Sequence, residues 1–300
     1  MPFLFALYIV SYLDRINVGF AALQMNAALG LSATAYAAGA GIFFLSYTLL
    51  EVPSNIVLAR LGARLWIARI MITWGIVSAA MMFARGPISF YVLRFLLGAA
   101  EAGFFPGVIY YLTRWFPARE RARTIAAFMT ATLVAGIVGG PISGALLGLN
   151  GVAGLAGWQW LFLLEGVPAV VLGFVVLAHL PERPDEAAWL SEEDRRVLAA
   201  ALEQEALAAG APPDERAAVS SSLANGRVWL MSIVYFTIPV TLYAFGFWLP
   251  PILRSRFGGS DFKSACCRRS RIWSARSGWS LSRAIRTSSP SGAFISWCPR

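Results

Sequence analysis

Residues 88–113 read ISFYVLRFLLGAAEAGFFPGVIYYLT, an apolar run broken by only two charges, Arg94 and Glu101. Crossing the hydrocarbon core of a bilayer takes about 20 mostly apolar residues in a helix. This stretch is long enough. Six more stretches of the same kind flank it, at 3–23, 36–59, 65–84, 124–149, 158–180 and 227–251. Gly and Pro recur inside them, as spanning helices tolerate. Of the 300 residues 58% are hydrophobic and 14% charged, against about 25% charged in soluble domains. A soluble fold of this length could not hide so much apolar surface. The expected fold is therefore an all-α integral membrane protein.

Loop charge gives an expected orientation. Arg60, Arg64 and Arg69 lie around the link between the second and third spans. Arg114, Arg119, Arg121 and Arg123 lie between the fourth and fifth. The links 24–35, 85–87 and 150–157 hold one charge between them, Arg85. The positive-inside tendency places the basic loops and the N-terminus in the cytoplasm. The basic leader expected before the first span is missing, which reads as a clipped or misassigned start.

The long charged segment 181–226 is not membrane. It opens PERPDEAAWLSEEDRRVLAAALEQE, and Ser191 is placed to cap a short amphipathic helix over 191–208. The expected order is a six-helix bundle over 1–180, a cytoplasmic linker over 181–226, and the start of a second, incomplete bundle at 227–263.

The formal charge is +9, but residues 264–300 hold seven Arg and no Asp or Glu, so residues 1–263 carry only +2. A nucleic-acid partner loses its support. Cys266, Cys267 and Cys298, all the cysteines, also lie in that tail, and His179 is the only histidine. No disulfide framework, metal site or cofactor is expected. No HExxH or GxSxG occurs, so an embedded enzyme with catalytic residues is not expected either. The tail itself, rich in Ser, Arg, Trp and Cys, reads as a frameshifted shadow of an apolar helix: Ser (as TCN), Cys, Trp and Phe codons begin with T, and a codon with T in the middle encodes an apolar residue. That reading implies a product cut short.

Charges inside the membrane need a reason, since each costs about 2.5–3.5 kcal/mol at the bilayer centre on insertion scales. Asp14 and Arg15 lie in the first span, Arg94 and Glu101 in the fourth. Seven residues is nearly two helical turns, so Arg94 and Glu101 share a face. Two readings follow. Mutual neutralisation would make the four charges an interhelical glue. Alternatively they line a polar cavity in which Arg94 receives an anionic group and Asp14 and Glu101 titrate. Tyr12 and Tyr47 offer hydroxyls to orient a substrate, or simply pack. Glu51 is placed to pair with a basic loop, Glu165 is ambiguous, and His179 is interfacial. In the fifth span GIVGGPISG sets Gly136, Gly140, Pro141 and Gly144 where small residues let helices approach and proline would kink the span.

The words YLDRINVGFA (12–21), LLEVPSNIVLARLGAR (49–64), RFLLGAAEAGFFPGVIYYLTRWFPARERAR (94–123) and WQWLFLLEGVPA (158–169) together resemble the major facilitator superfamily, and within it the anion:cation symporters, the bacterial permeases for sugar acids, tartrate and phthalate. The resemblance covers residues 1–263. It implies a twelve-helix molecule of two bundles about a central site, of which this chain supplies one bundle and a fragment. It implies an inner-membrane, multi-pass, monomeric symporter surrounded by lipid, moving a small organic anion (a carboxylate) with a proton. Arg94 would then be the substrate-carboxylate ligand, Asp14 and Glu101 the proton-coupling acids, Arg15 their partner, and Tyr12 and Tyr47 cavity residues. The loop at 58–69 lacks the acidic residue of the general superfamily motif. The fifth-span Gly/Pro pattern is similar to one of antiporters, so an anion antiporter and an inactive truncated fragment are the alternatives.

Overall fold

A computed structural model of the chain describes residues 2–187, 189–209 and 224–257. The expectations about residues 210–223 and about the frame of 264–300 fall outside the described residues. Among the described residues there is no strand. The helices are α1 (Pro2–Leu29), α2 (Ala33–Leu61), α3 (Ala63–Ala80, prolonged by a 3-10 turn at Met81–Phe83), α4 (Pro87–Glu101), α5 (Phe104–Thr113), α6 (Ala118–Met129), α7 (Ala131–Leu147), α8 (Gly157–His179), α9 (Glu192–Ala209) and α10 (Gly226–Phe257). Counting α4 with α5 and α6 with α7, the described residues hold 7 segments long and apolar enough to cross a membrane. These segments are the seven stretches read from the sequence, with ends shifted by a few residues and the fifth starting earlier, at Ala118.

Local chemistry sets the ends. Ser32 caps α2 by accepting from the Ala35 N–H at 3.1 Å. Pro87 opens α4 at a position where its missing N–H costs nothing. Ser191 caps α9 as expected, accepting from the Asp194 N–H at 3.1 Å and donating to its carboxylate at 2.6 Å.

Two spans are broken. The fourth breaks after Glu101, at Gly103 with φ +89°, a conformation that favours glycine. The fifth breaks at Thr130, between α6 and α7. Pro141 does not interrupt α7, which is one helix through that position.

The most extensive pairings are α3 with α8 and α2 with α4, and α1 is gripped between α7 and α8. At the α3–α8 crossing Gly75 and Gly166 let the backbones touch: a Cβ on Gly166 would lie 2.7 Å from the Ala79 nitrogen, and one on Gly75 would lie 2.7 Å from the Gly166 carbonyl. At the α2–α4 crossing a Cβ on Gly98 would lie 2.2 Å from the Phe43 carbonyl.

The buried apolar side chains form two clusters, one towards each end of the bundle. Apolar side chains also cover the outside, as along α2 at Leu45, Leu49, Val52 and Ile56 and along α8 at Val171 and Phe174. Such a face is unfavourable in water and at home in lipid. Helix α10 lies along α1, and of its described side chains only Phe247 is buried.

Candidate functional site

A polar layer separates the two apolar clusters. Along α1, Leu7 and Tyr8 belong to one cluster and Ile16 and Val18 to the other, with Asp14 between. Ser78 of α3, Arg94 of α4, Ser143 of α7 and Glu165 of α8 occupy the same junction on their helices. All five are buried. The site is thus built from helices far apart in sequence at a common depth in the bundle.

Asp14 is held by neutral donors. Its Oδ2 accepts from the Trp74 indole N–H at 2.6 Å. Its Oδ1 accepts from the Asn17 amide at 2.9 Å and from the Ser78 hydroxyl. Trp74 and Ser78 are four residues apart on α3, so one helix face supplies both. Among the described residues Asp14 makes no ion pair.

Glu101 instead takes the cation. Arg15 Nε donates to Glu101 Oε1 at 2.9 Å, and Arg15 Nη2 completes the ion pair on the same oxygen. Ser11 donates to it as well, at 3.3 Å. Arg15 Nη1 donates to the Tyr243 hydroxyl of α10 at 3.1 Å, and its guanidinium lies 5.2 Å from the centre of the Tyr47 ring. Glu101 is the last residue of α4, and Ser54 of α2 satisfies the Ala102 carbonyl that follows it, at 2.6 Å. The helix break and the ion pair therefore share a place.

Arg94 is 1% exposed. Its guanidinium sits 4.7 Å from the centre of the Phe43 ring, while Nε and Nη1 have no hydrogen-bond partner. A buried cation with unused donors is costly, and each such group calls for an explanation. The sequence reading put Arg94 on a polar cavity; the structure packs it into the bundle. A cavity of about 220 Å³ lies between α2 and α10 and is aromatic, lined by Tyr36, Phe44, Tyr243, Phe247 and Trp248.

Mutual neutralisation describes one pair, Arg15 with Glu101, and not the other two charges. Glu165 Oε1 accepts from Ser143 at 3.0 Å, and Oε2 has no hydrogen-bond partner. Tyr12 is half-buried against the cluster that holds Ile16 and Tyr36. Tyr47 packs beside Phe43, ring centres 6.1 Å apart. Glu51 makes no ion pair among the described residues, contrary to expectation. Gly140 and Gly144 are buried and Pro141 is half-buried. Gly136 faces outward, and a Cβ there would meet nothing within 4 Å among the described residues. Gly139 of α7 meets α1: a Cβ there would lie 3.0 Å from Leu13 Cδ2.

Ser11, Asn17, Trp74, Ser78 and Tyr243 were missed from the sequence. Ser11 and Asn17 each lie three residues from Asp14, the spacing that shares a helix face. That pattern could have found them. Nothing local marks Trp74 or Tyr243.

Residues 4–278 match the sequence profile of the Major Facilitator Superfamily. A putative tartrate transporter of Agrobacterium vitis is 52% identical over 263 residues, covering 88% of this chain and 60% of its own length. The putative metabolite transport protein NicT of Pseudomonas putida is 51% identical over 262 residues, covering 87% of this chain and 59% of its own length. The chain thus spans about 60% of the length of these two curated relatives. The crystal structure of a bacterial homolog of the human lysosomal transporter Spinster, inward-facing and occupied, superposes with a TM-score of 0.69 at 19% identity. It is matched over 96% of this chain and 62% of that one, and shares the fold.

Proposed function

This chain belongs to the Major Facilitator Superfamily, a family of transporters and not enzymes, and on that premise we propose that it forms the first bundle of a proton-coupled symporter for a small carboxylate. The observation that carries the reading is Arg94, a buried guanidinium with two donor nitrogens, Nε and Nη1, that have no hydrogen-bond partner. A carboxylate is the planar, two-pronged partner such a group lacks. The name of the tartrate relative supports that class.

In this reading the substrate reaches Arg94 when Phe43 moves aside and α2 and α10 part along their aromatic cavity. Arg15, Tyr12 and Tyr47 complete the first bundle's share of the contacts. Glu101 and Asp14 carry the coupling proton. Protonating Glu101 would neutralise one side of its pair with Arg15 and release the guanidinium. Tyr243 ties Arg15 to α10, the first helix of the second bundle, so this acid senses the movement of one bundle against the other. Gly140, Pro141 and Gly144 serve the packing of α7. The basic loops and the N-terminus face the cytoplasm of a bacterial inner membrane, and the working unit is a monomer in lipid. The charge cluster of one bundle is half of a site between two.

The test is tartrate uptake into vesicles carrying the frame-restored, full-length protein, with and without an inward proton gradient. Arg94→Lys should weaken tartrate binding by about ten-fold or more, because an ammonium cannot reproduce two-pronged recognition. Glu101→Gln keeps size and hydrogen bonding but cannot titrate. It should abolish gradient-driven accumulation and leave substrate exchange intact. Accumulation by Glu101→Gln at normal proton stoichiometry would remove Glu101 from the coupling role.

A further inference from the structure

A second cavity lies away from this site, where the linker meets the bundle. It measures about 880 Å³ and is walled by the end of α5, the start of α6, the segment 183–185 and one face of α9. Five arginines line it: Arg114, Arg121, Arg183, Arg195 and Arg196. Two acids, Asp185 and Glu205, also line it.

One of these acids is already committed within the wall. Glu205 accepts from the Ala118 N–H at 2.8 Å and from Arg121 at 2.7 Å. Arg114 is paired with Glu182 at 2.9 Å, and Arg196 with Glu192 at 3.2 Å on the open surface. Arg183 and Arg195 are in no ion pair among the described residues. Nε of Arg121 and Nε of Arg195 are buried without a hydrogen-bond partner. Three of the five guanidinium groups thus have a carboxylate partner, while Arg183 and Arg195 have none among the described residues and add uncompensated positive charge to the void.

We propose that this cavity binds a phosphate-bearing ligand, which fastens the linker helix α9 to the ends of α5 and α6. A phosphate offers a charge of up to −2 and several acceptor oxygens to forked donors. The cavity is much larger than one phosphate, so the group arrives on a larger body. Two sources share the chemistry. One is the headgroup of an anionic phospholipid, since α9 lies just beyond the apolar spans, where basic clusters meet lipid phosphates. The other is a soluble phosphate ester. The inference is independent of the transported substrate and of Arg94.

The experiment uses the full chain in nanodiscs of neutral phosphatidylcholine. In one arm glycerol 3-phosphate is titrated, and in the other phosphatidylglycerol is added to the bilayer. The readout is the unfolding midpoint at constant ionic strength, with chloride as the control. A saturable rise with either probe, absent with chloride, is expected, and the arm that shows it identifies the source. In Arg183→Gln/Arg195→Gln the probe should bind at least ten-fold more weakly. The empty variant should unfold no earlier than the wild type, because like charges have been removed. Ala199→Trp fills the cavity and keeps every arginine, and should also lose the response. A rise that chloride reproduces, no rise with either probe, or an unchanged response in both variants would overturn the proposal.

Discussion

Asp14 shows why a buried charge need not seek an opposite one. Two side chains of α3 and one of α1 supply its carboxyl with donors, two to one oxygen and one to the other. Removing one donor leaves an acceptor unpaid in an apolar interior, which costs about 1–3 kcal/mol. Ser78→Ala and Trp74→Phe should therefore each lower stability in detergent by that order. Thr73→Ala, which loses only bonds to carbonyls of its own helix, should stay within about 0.5 kcal/mol. Equal melting shifts for Ser78→Ala and Thr73→Ala would mean that Asp14 does not depend on the α3 donors. At this scale the sequence was legible in part. Arg94 and Glu101 announced themselves, because a charge inside an apolar run is visible without a structure. Their partners were not legible. Whether Arg15 turns to Asp14 beside it or to Glu101 on another span depends on how helices pack, and no local spacing encodes that.

The glycines separate two roles at the scale of the element. Gly98 is the point where α4 rests on α2, and a methyl group there would strike the Phe43 carbonyl and the Ser46 hydroxyl. Gly98→Ala should force the helices apart and cost about 1–3 kcal/mol, as overpacking does. Gly136 is helical, outward-facing and clear of neighbours. There alanine restores helix propensity, worth about 0.8–1 kcal/mol, so Gly136→Ala should be neutral or stabilising. Chemical unfolding of the two variants side by side gives the comparison, and opposite signs are the expected result. The motif around Gly136 drew attention because small residues cluster there, yet clustering does not say which face they lie on. The break at Gly103 was missed for a related reason. Apolar length alone reports one span over 88–113, although Gly103 and Pro106 stood in the sequence as signals of a turn and a new helix start.

Helix α9 is fastened by its acids. Glu205 accepts from the Ala118 N–H and from Arg121, and these two interactions, in that order, hold its carboxyl below the ordinary glutamate range. A depressed carboxyl contributes stability that is present above its unfolded value and lost as pH falls through the folded one. Docking of α9 should therefore persist at neutral pH and loosen only below the ordinary carboxylate range. Glu205→Ala should loosen it at every pH. Spin labels at Glu120 and Glu203, both exposed and outside these bonds, would report the separation of α6 from α9. A distance in the wild type that does not change on acidification would sink this account.

Over the whole molecule, the arrangement of charge ought to decide which way the bundle sits. The linker joins the arginine loops at one end: Glu182 accepts from the N–H groups of Ala63 and Arg64 at 2.9 and 2.8 Å, and from Arg114. Loops 60–69 and 114–123 and the linker therefore lie on one side of the spans, and the links 24–35, 85–87 and 150–157 on the other. This grouping follows from the count of spans, which hydrophobic length made legible before any contact was known. Which side faces the cytoplasm is a separate matter, and the excess of arginine at the linker end favours that end. Cysteine labelling decides it. The cysteines at 266, 267 and 298 are first replaced by serine. Ala28→Cys and Arg119→Cys then place one thiol at an exposed position on each side. A membrane-impermeant maleimide added to intact cells should label position 28, and should reach position 119 only after permeabilisation. The reverse pattern would invert the protein. It would also put the linker cavity and its arginines outside the cell, in reach of the outer leaflet and not of cytoplasmic phosphates.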